Sequence, residues 1–179
     1  MYIYGLDVST TRLGIAILNE KQELIYNDAL KFDSKKSLEE RAKLFYNKMY
    51  ELKHHFPPDK IYIEEPAKLF NKTTAHTVAI LNQFNGMCRL TAHLMSDQVP
   101  IMVNVRTARK KLGISPDKQT LKEYRGSPAD KKRYVKRVVI DYVKNKFDNF
   151  VYTETRHGNP SPGIDDKADA VVMALQEFV

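Results

Sequence analysis

The order in which strand-like and helix-like runs follow one another limits this chain to few folds. Over residues 1–32, three short runs rich in β-branched and aromatic residues are separated only by turn formers. Residues 1–8 read as a strand ending at Asp7. Ile15-Ala16-Ile17-Leu18 reads as a second strand, and residues 23–32 complete an antiparallel meander. From there helices and strands alternate. Residues 37–56 carry an apolar stripe of Leu38, Ala42, Phe45, Met49 and Leu52, with Ser37 placed to cap and Pro57-Pro58 to stop the helix. Residues 60–64 read as a strand ending at Glu64, residues 71–96 as a long helix capped by Thr73 or Thr74, and residues 99–105 as a fifth strand. A short helix over 106–113, a polar loop over 114–128, a basic helix over 130–146 and an irregular stretch over 147–162 precede a last amphipathic helix over 165–178. This order implies an α/β domain, a mixed five-stranded sheet with helices on both faces. The 179 residues, 42% of them apolar, suit one core, so residues 1–179 are expected to form a single domain.

Two of these strands run directly into a carboxylate, Asp7 and Glu64. Asp166 and Asp169 stand near the start of the last helix, spaced D-x-x-D, which sets both on one face; the neighbouring Asp165 points elsewhere. Each acid alone has an ordinary role, such as bending a turn or meeting the positive end of a helix. Together they carry more weight, because adjacent strand ends of a mixed sheet meet at one edge. Clustered carboxylates repel unless cations neutralise them. Oxygen ligands without a histidine pattern point to Mg²⁺ or Mn²⁺. Such a cluster suits phosphodiester hydrolysis with two ions per site, which needs no side-chain nucleophile. The sequence has no G-x-S-x-G and no Ser-His-Asp pattern.

The net charge of +7 is concentrated between residues 106 and 146, where lysines and arginines crowd. That density fits a phosphate-contacting face or a solvated helix surface. The single cysteine, Cys88, reads as a small buried hydrophobe; it excludes an internal disulfide and a zinc cluster. The chain fits a reducing compartment and is expected in the cytoplasm. Its first residues lack the basic and apolar regions of a signal peptide, and no run of about eighteen apolar residues suggests a membrane span.

Tyr4-Gly5-Leu6-Asp7 with Thr10-Thr11-Arg12-Leu13-Gly14 resembles the first motif of the RuvC-type Holliday junction resolvases. Ile61-Tyr62-Ile63-Glu64-Glu65 resembles their second acidic motif, and Asp166-Lys167-Ala168-Asp169-Ala170 their terminal D-x-x-D-A. The resemblance runs the whole chain. It implies an RNase H-like fold and a nuclease that nicks opposed strands of a four-way junction as a homodimer. Asp7, Glu64, Asp166 and Asp169 would then bind two Mg²⁺ ions, with Mn²⁺ also supporting activity. Lys131 would contact the scissile region or offset transition-state charge, supported by Lys110 or Lys111. Arg106, Arg109, Lys110, Lys111 and Lys132 would contact DNA, and Phe70 would either wedge against an unpaired base or pack on the sheet. The helix over 71–96 has apolar surface for the core and for a dimer contact. The chain departs from the family at Pro66-Ala67-Lys68-Leu69-Phe70, and the doublet Asp165-Asp166 leaves open which aspartate binds metal.

Other readings share some of these features. The same fold serves nucleases of other branched DNA, of flaps and of RNA–DNA hybrids. Gly5-Leu6-Asp7-Val8-Ser9-Thr10-Thr11 also resembles the phosphate loop of actin-like and sugar-kinase ATPases, but those need a second such domain and a second phosphate motif. A DNA-binding module that has lost catalysis is disfavoured by the intact acidic set.

Overall fold

Three antiparallel strands, β1 (Tyr2–Val8), β2 (Arg12–Asn19) and β3 (Leu24–Lys31), open the fold. Two parallel strands, β4 (Lys60–Glu64) and β5 (Ile101–Val103), extend the sheet beyond β1, giving the order β3-β2-β1-β4-β5. The structure is a computed structural model and describes residues 1–66, 74–114, 116, 118–124 and 126–179.

Side chains alternate across the strands and divide the core in two. Tyr4, Leu6, Ile15, Ile17, Ile61 and Ile63 face one way. They pack against Phe45, Met49 and Leu52 of α1 (Leu38–His55) and Phe84, Cys88 and Met95 of α2 (Ala75–Ser96). Ile3, Ala16, Leu18 and Tyr62 face the other way, towards α3 (Val105–Lys111), α5 (Pro128–Lys146) and α6 (Ile164–Ala174). The helix ends follow local rules. Ser37 and Glu40 form a capping box at α1, Ser127 and Asp130 another at α5, and Thr74 caps α2 by accepting from the Thr77 amide.

The polar loop expected over 114–128 contains a further helix, α4 (Lys118–Glu123). At six residues it is too short to show helical periodicity. The last helix stops at Ala174 and tightens into a 3-10 turn, Leu175–Phe178. There Glu177 accepts from Lys60 Nζ at 2.7 Å and from the Tyr62 hydroxyl at 2.6 Å, fastening the C-terminal end to β4. Among the described residues no helix is long and apolar enough to cross a membrane.

The central contact is that of α6 with β1 and β2, and glycine makes it possible. A Cβ on Gly5 would overlap the Ala170 carbonyl oxygen and the Ala174 amide; one on Gly14 would overlap the Asp166 carbonyl. Backbone therefore lies against backbone, and the first turns of α6 are pressed onto the sheet beside the end of β1.

Candidate active site

Asp7 lies on the same face of β1 as Ile3 and Gly5, the face covered by α6. Glu64 is its counterpart on β4. The parallel register pairs Leu6 with Ile63, so Asp7 and Glu64 follow as neighbours at the carboxyl ends of adjacent strands. Asn85 of α2, itself buried, donates from Nδ2 to the Glu64 carbonyl at 3.0 Å and fixes that strand end. The close approach of α6 at Gly14 brings Asp166 and Asp169 to the same place.

The four carboxyl groups act on one another. Burial raises Asp7 well above the ordinary carboxylate range, and the charges of Asp169, Glu64 and Asp166 push it further. The hydrogen bond between Asp7 and Glu64 raises Asp7 and lowers Glu64. Burial also raises Glu64, although Asp7, Arg109 and the Val8 amide oppose the rise. Asp166 is raised by burial and by Asp165 beside it, against the pull of Lys136 and Arg12. Asp169 is raised chiefly by burial, and Arg109 offsets part of that.

Cations of the chain itself balance the cluster. Arg109 Nη2 donates to Asp169 Oδ1 at 2.6 Å and to Oδ2 at 2.8 Å, and its Nε donates to Oδ1 at 3.2 Å. Both side chains are largely buried. Lys136 Nζ donates to Asp165. Burial works against the Lys136 charge, but Asp165, with Asp166 and Asp169 behind it, outweighs burial and holds its pKa up.

This geometry sorts the expected residues. Asp7, Glu64, Asp166 and Asp169 lie within electrostatic reach of one another, and Asp165 pairs with Lys136. Arg109, expected among the DNA contacts, instead grips Asp169, because α3 packs on α6 through Val105, Ala108 and Leu112 and carries the guanidinium inward. Arg106, Lys110 and Lys111 of α3 and Lys132 of α5 are exposed. Lys131 stands half-buried in the first turn of α5, and the lysine that meets the acidic cluster is Lys136, more than one turn further along. Phe70 lies outside the described residues.

Two participants escaped the sequence reading. Lys136 sits on the buried stripe of Val139, Ile140 and Val143, and a lysine at that spacing was the available signal. Arg12 was visible only as part of a turn motif; folded, it adjoins Gly163 and the field of Asp166.

The donor set is oxygen only, as hard divalent cations require. As the side chains are turned here, no three acidic, histidine or cysteine groups among the described residues stand close enough to enclose an ion. Both oxygens of Asp169 are engaged by Arg109. The donor chemistry fits the cation, which Asp7, Glu64, Asp166 and Asp169 would hold.

The sheet order, with helices on both faces and carboxylates at the ends of its central strands, defines an RNase H-like fold. No protein-family model and no curated protein sequence matches the chain. Among solved structures it is similar to RuvC of Thermus thermophilus in complex with a Holliday junction substrate. The TM-score is 0.61 at 17% identity, over 98% of this chain and 90% of that one. It is also similar to a second structure of Thermus thermophilus RuvC, with TM-score 0.55 at 19% identity, over 98% of this chain and 92% of that one. The chain has the RuvC-type resolvase fold.

Proposed function

We propose that this chain is an endonuclease that cuts four-way DNA junctions with divalent metal ions. The observation that carries the reading is the meeting of four carboxylates, from β1, β4 and α6, at one end of a RuvC-type sheet. The likeness in fold to a protein bound to a Holliday junction supports branched DNA as the substrate class.

Asp7, Glu64, Asp166 and Asp169 would hold two Mg²⁺ ions, or Mn²⁺ in their place. Bound there, the ions supply an activated water and stabilise charge on the phosphate and the leaving 3′ oxygen. The chain's own residues prepare this. Asp7 and Glu64 would face the cations together from the ends of adjacent strands. Arg109 holds Asp169 in place by hydrogen bonding, and would be freed where Asp169 is to hold a cation. Lys136, beside Asp165, is a fixed positive charge at the rim, suited to a DNA phosphate or to developing negative charge. Arg106, Lys110, Lys111 and Lys132 are exposed and suit the DNA backbone. Lys131, in the first turn of α5, would contact the DNA near the scissile phosphate, and Lys136 faces the acidic cluster.

Symmetric cutting of two strands asks for two active sites, and we assign the protein as a homodimer. Leu90 (59% exposed) and Leu94 (54% exposed), one turn apart on α2, are the apolar surface that supports it.

The test is incubation with a labelled four-way junction and Mg²⁺ in competition with flaps, duplex and RNA–DNA hybrid. Paired symmetric nicks confined to the junction are expected. Preferential cutting of the hybrid, or no cutting with Mg²⁺ or Mn²⁺, would overturn the assignment.

A further inference from the structure

A cavity of about 590 Å³ adjoins the carboxylate cluster, and Lys136 and Asp165 line it. It lies beside α5 and the tight turn over residues 153–161. That turn is closed by the Thr155 amide donating to the Asn159 carbonyl and the Ser161 amide to that of Thr153. Apart from Lys136, its lining plays no part in the chemistry described above.

Its lining has two characters. Tyr124 and Tyr134 form a stacked pair, ring centroids 5.3 Å apart and planes 22° from parallel. A Cβ on Gly126 would run into the Tyr124 ring, so the glycine leaves the space that ring occupies. Arg133, Lys136 and Arg137 bring positive charge. Arg137 is anchored by donating to the Gly158 carbonyl at 3.1 Å. The two carboxylates of the lining are already engaged. Asp130 accepts from the Ser127 hydroxyl, the Ser127 amide and Arg133, and Asp165 accepts from Lys136. An aromatic platform beside cations fits a ligand that is aromatic at one end and anionic at the other. The volume lies in the range of small-ligand sites and suits one nucleotide rather than a stretch of duplex.

We propose that this cavity receives a single unstacked nucleotide of the DNA strand being cut. Its base lies against the tyrosine pair and its phosphate against Arg133 and Arg137. The inference rests on the nuclease reading for the identity of the strand. Lys136 and Asp165 line the cavity, and Lys136 also feels the charges of Asp166 and Asp169, so the cavity adjoins the carboxylates of α6. Branch points offer such nucleotides at low cost, since the strands there are already unpaired or easily unstacked. Stacking on aromatic rings accepts every base, so the site would hold the strand without dictating sequence.

The test uses a trinucleotide carrying 2-aminopurine at its centre, with 2-aminopurine deoxyribonucleoside 5′-monophosphate as a second probe. Base fluorescence is read during titration with the protein. The trinucleotide is expected to bind with a change in emission. Tyr134→Ala should weaken binding about tenfold and Tyr134→Phe should leave it intact. Arg133→Ala with Arg137→Ala should weaken binding by a similar factor. Each variant's thermal unfolding is measured alongside, and rescue by Tyr134→Phe separates stacking from a damaged fold. Trinucleotide binding indifferent to Tyr134→Ala, or tighter binding of the monophosphate than of the trinucleotide, would overturn the proposal. Junction cleavage is assayed in parallel. Its absence beside Tyr134-dependent trinucleotide binding would remove the resolvase reading and support the cavity's assignment.

Discussion

At the scale of single residues, the charge state of Asp7 governs the metal-free protein. Its carboxyl is buried among three others, so ionising it is unfavourable. Asp7→Asn keeps the shape and removes the charge, and is expected to abolish cleavage while junction binding survives. It should also raise the Tm of the metal-free protein by roughly 3–6 °C at pH 8. The sign follows from linkage. Asp7 is raised on folding, so its penalty is absent below the unfolded value of 3.8, grows as pH rises from there and is complete above the folded value. The gain from Asp7→Asn should therefore shrink towards zero as pH falls to about 4. Thermal melts in a chelator across that range check this, and a gain independent of pH would contradict it. Arg109→Gln acts oppositely. It leaves Asp169 without its partner, and should cost roughly 3 kcal/mol at neutral pH and less in acid, where Asp169 takes up a proton. Denaturant unfolding at two pH values measures the difference. Asp7 and Glu64 were legible in the sequence because an acid directly after an apolar strand is unusual. Arg109 and Lys136 were not, because in a stretch crowded with basic residues only the packing of α3 and α5 decides which ones turn inward.

Among elements, the seating of α6 decides whether a site exists. Asp166 and Asp169 reach Asp7 because Gly5 and Gly14 let the helix lie directly on β1 and β2. Gly5→Ala must push the helix away from the sheet, and is expected to destabilise the protein by about 2–3 kcal/mol, read from the midpoint of urea unfolding. Because the displaced helix carries two of the four carboxylates, Mn²⁺ affinity should fall with it. A variant with unchanged stability and Mn²⁺ binding would contradict this account of the helix. The sequence placed Gly5 inside a strand pattern and Gly14 just before one, but did not show what approaches them. It marked the α1 cap at Ser37, where the signal is local, and passed over α4, whose six residues carry no period to detect. The fifth strand was expected over 99–105 and pairs only over Ile101–Val103, because hydrogen bonding to β4 sets its length rather than local composition.

For the molecule as a whole, the meander followed by alternating helices and strands was enough to imply the mixed sheet, and the order β3-β2-β1-β4-β5 agrees with it. That topology makes carboxylates distant in sequence neighbours in space, and leaves lysines of α3 and α5 exposed, where the proposed function puts DNA. Junction affinity should fall steeply with salt. Lys110→Ala with Lys111→Ala should flatten the slope of log K against log salt by about 2, as two phosphate contacts are lost. Titrations from low to moderate salt check this, and an unchanged slope would move the DNA path elsewhere. The central claim, that these carboxylates gather to hold divalent ions, is tested most directly by anomalous diffraction from crystals grown with Mn²⁺. The account predicts manganese bound by Asp7 together with Glu64 or Asp169, and Arg109 withdrawn from Asp169. Crystals with no manganese at the end of β1 and the Arg109–Asp169 pair intact would contradict it.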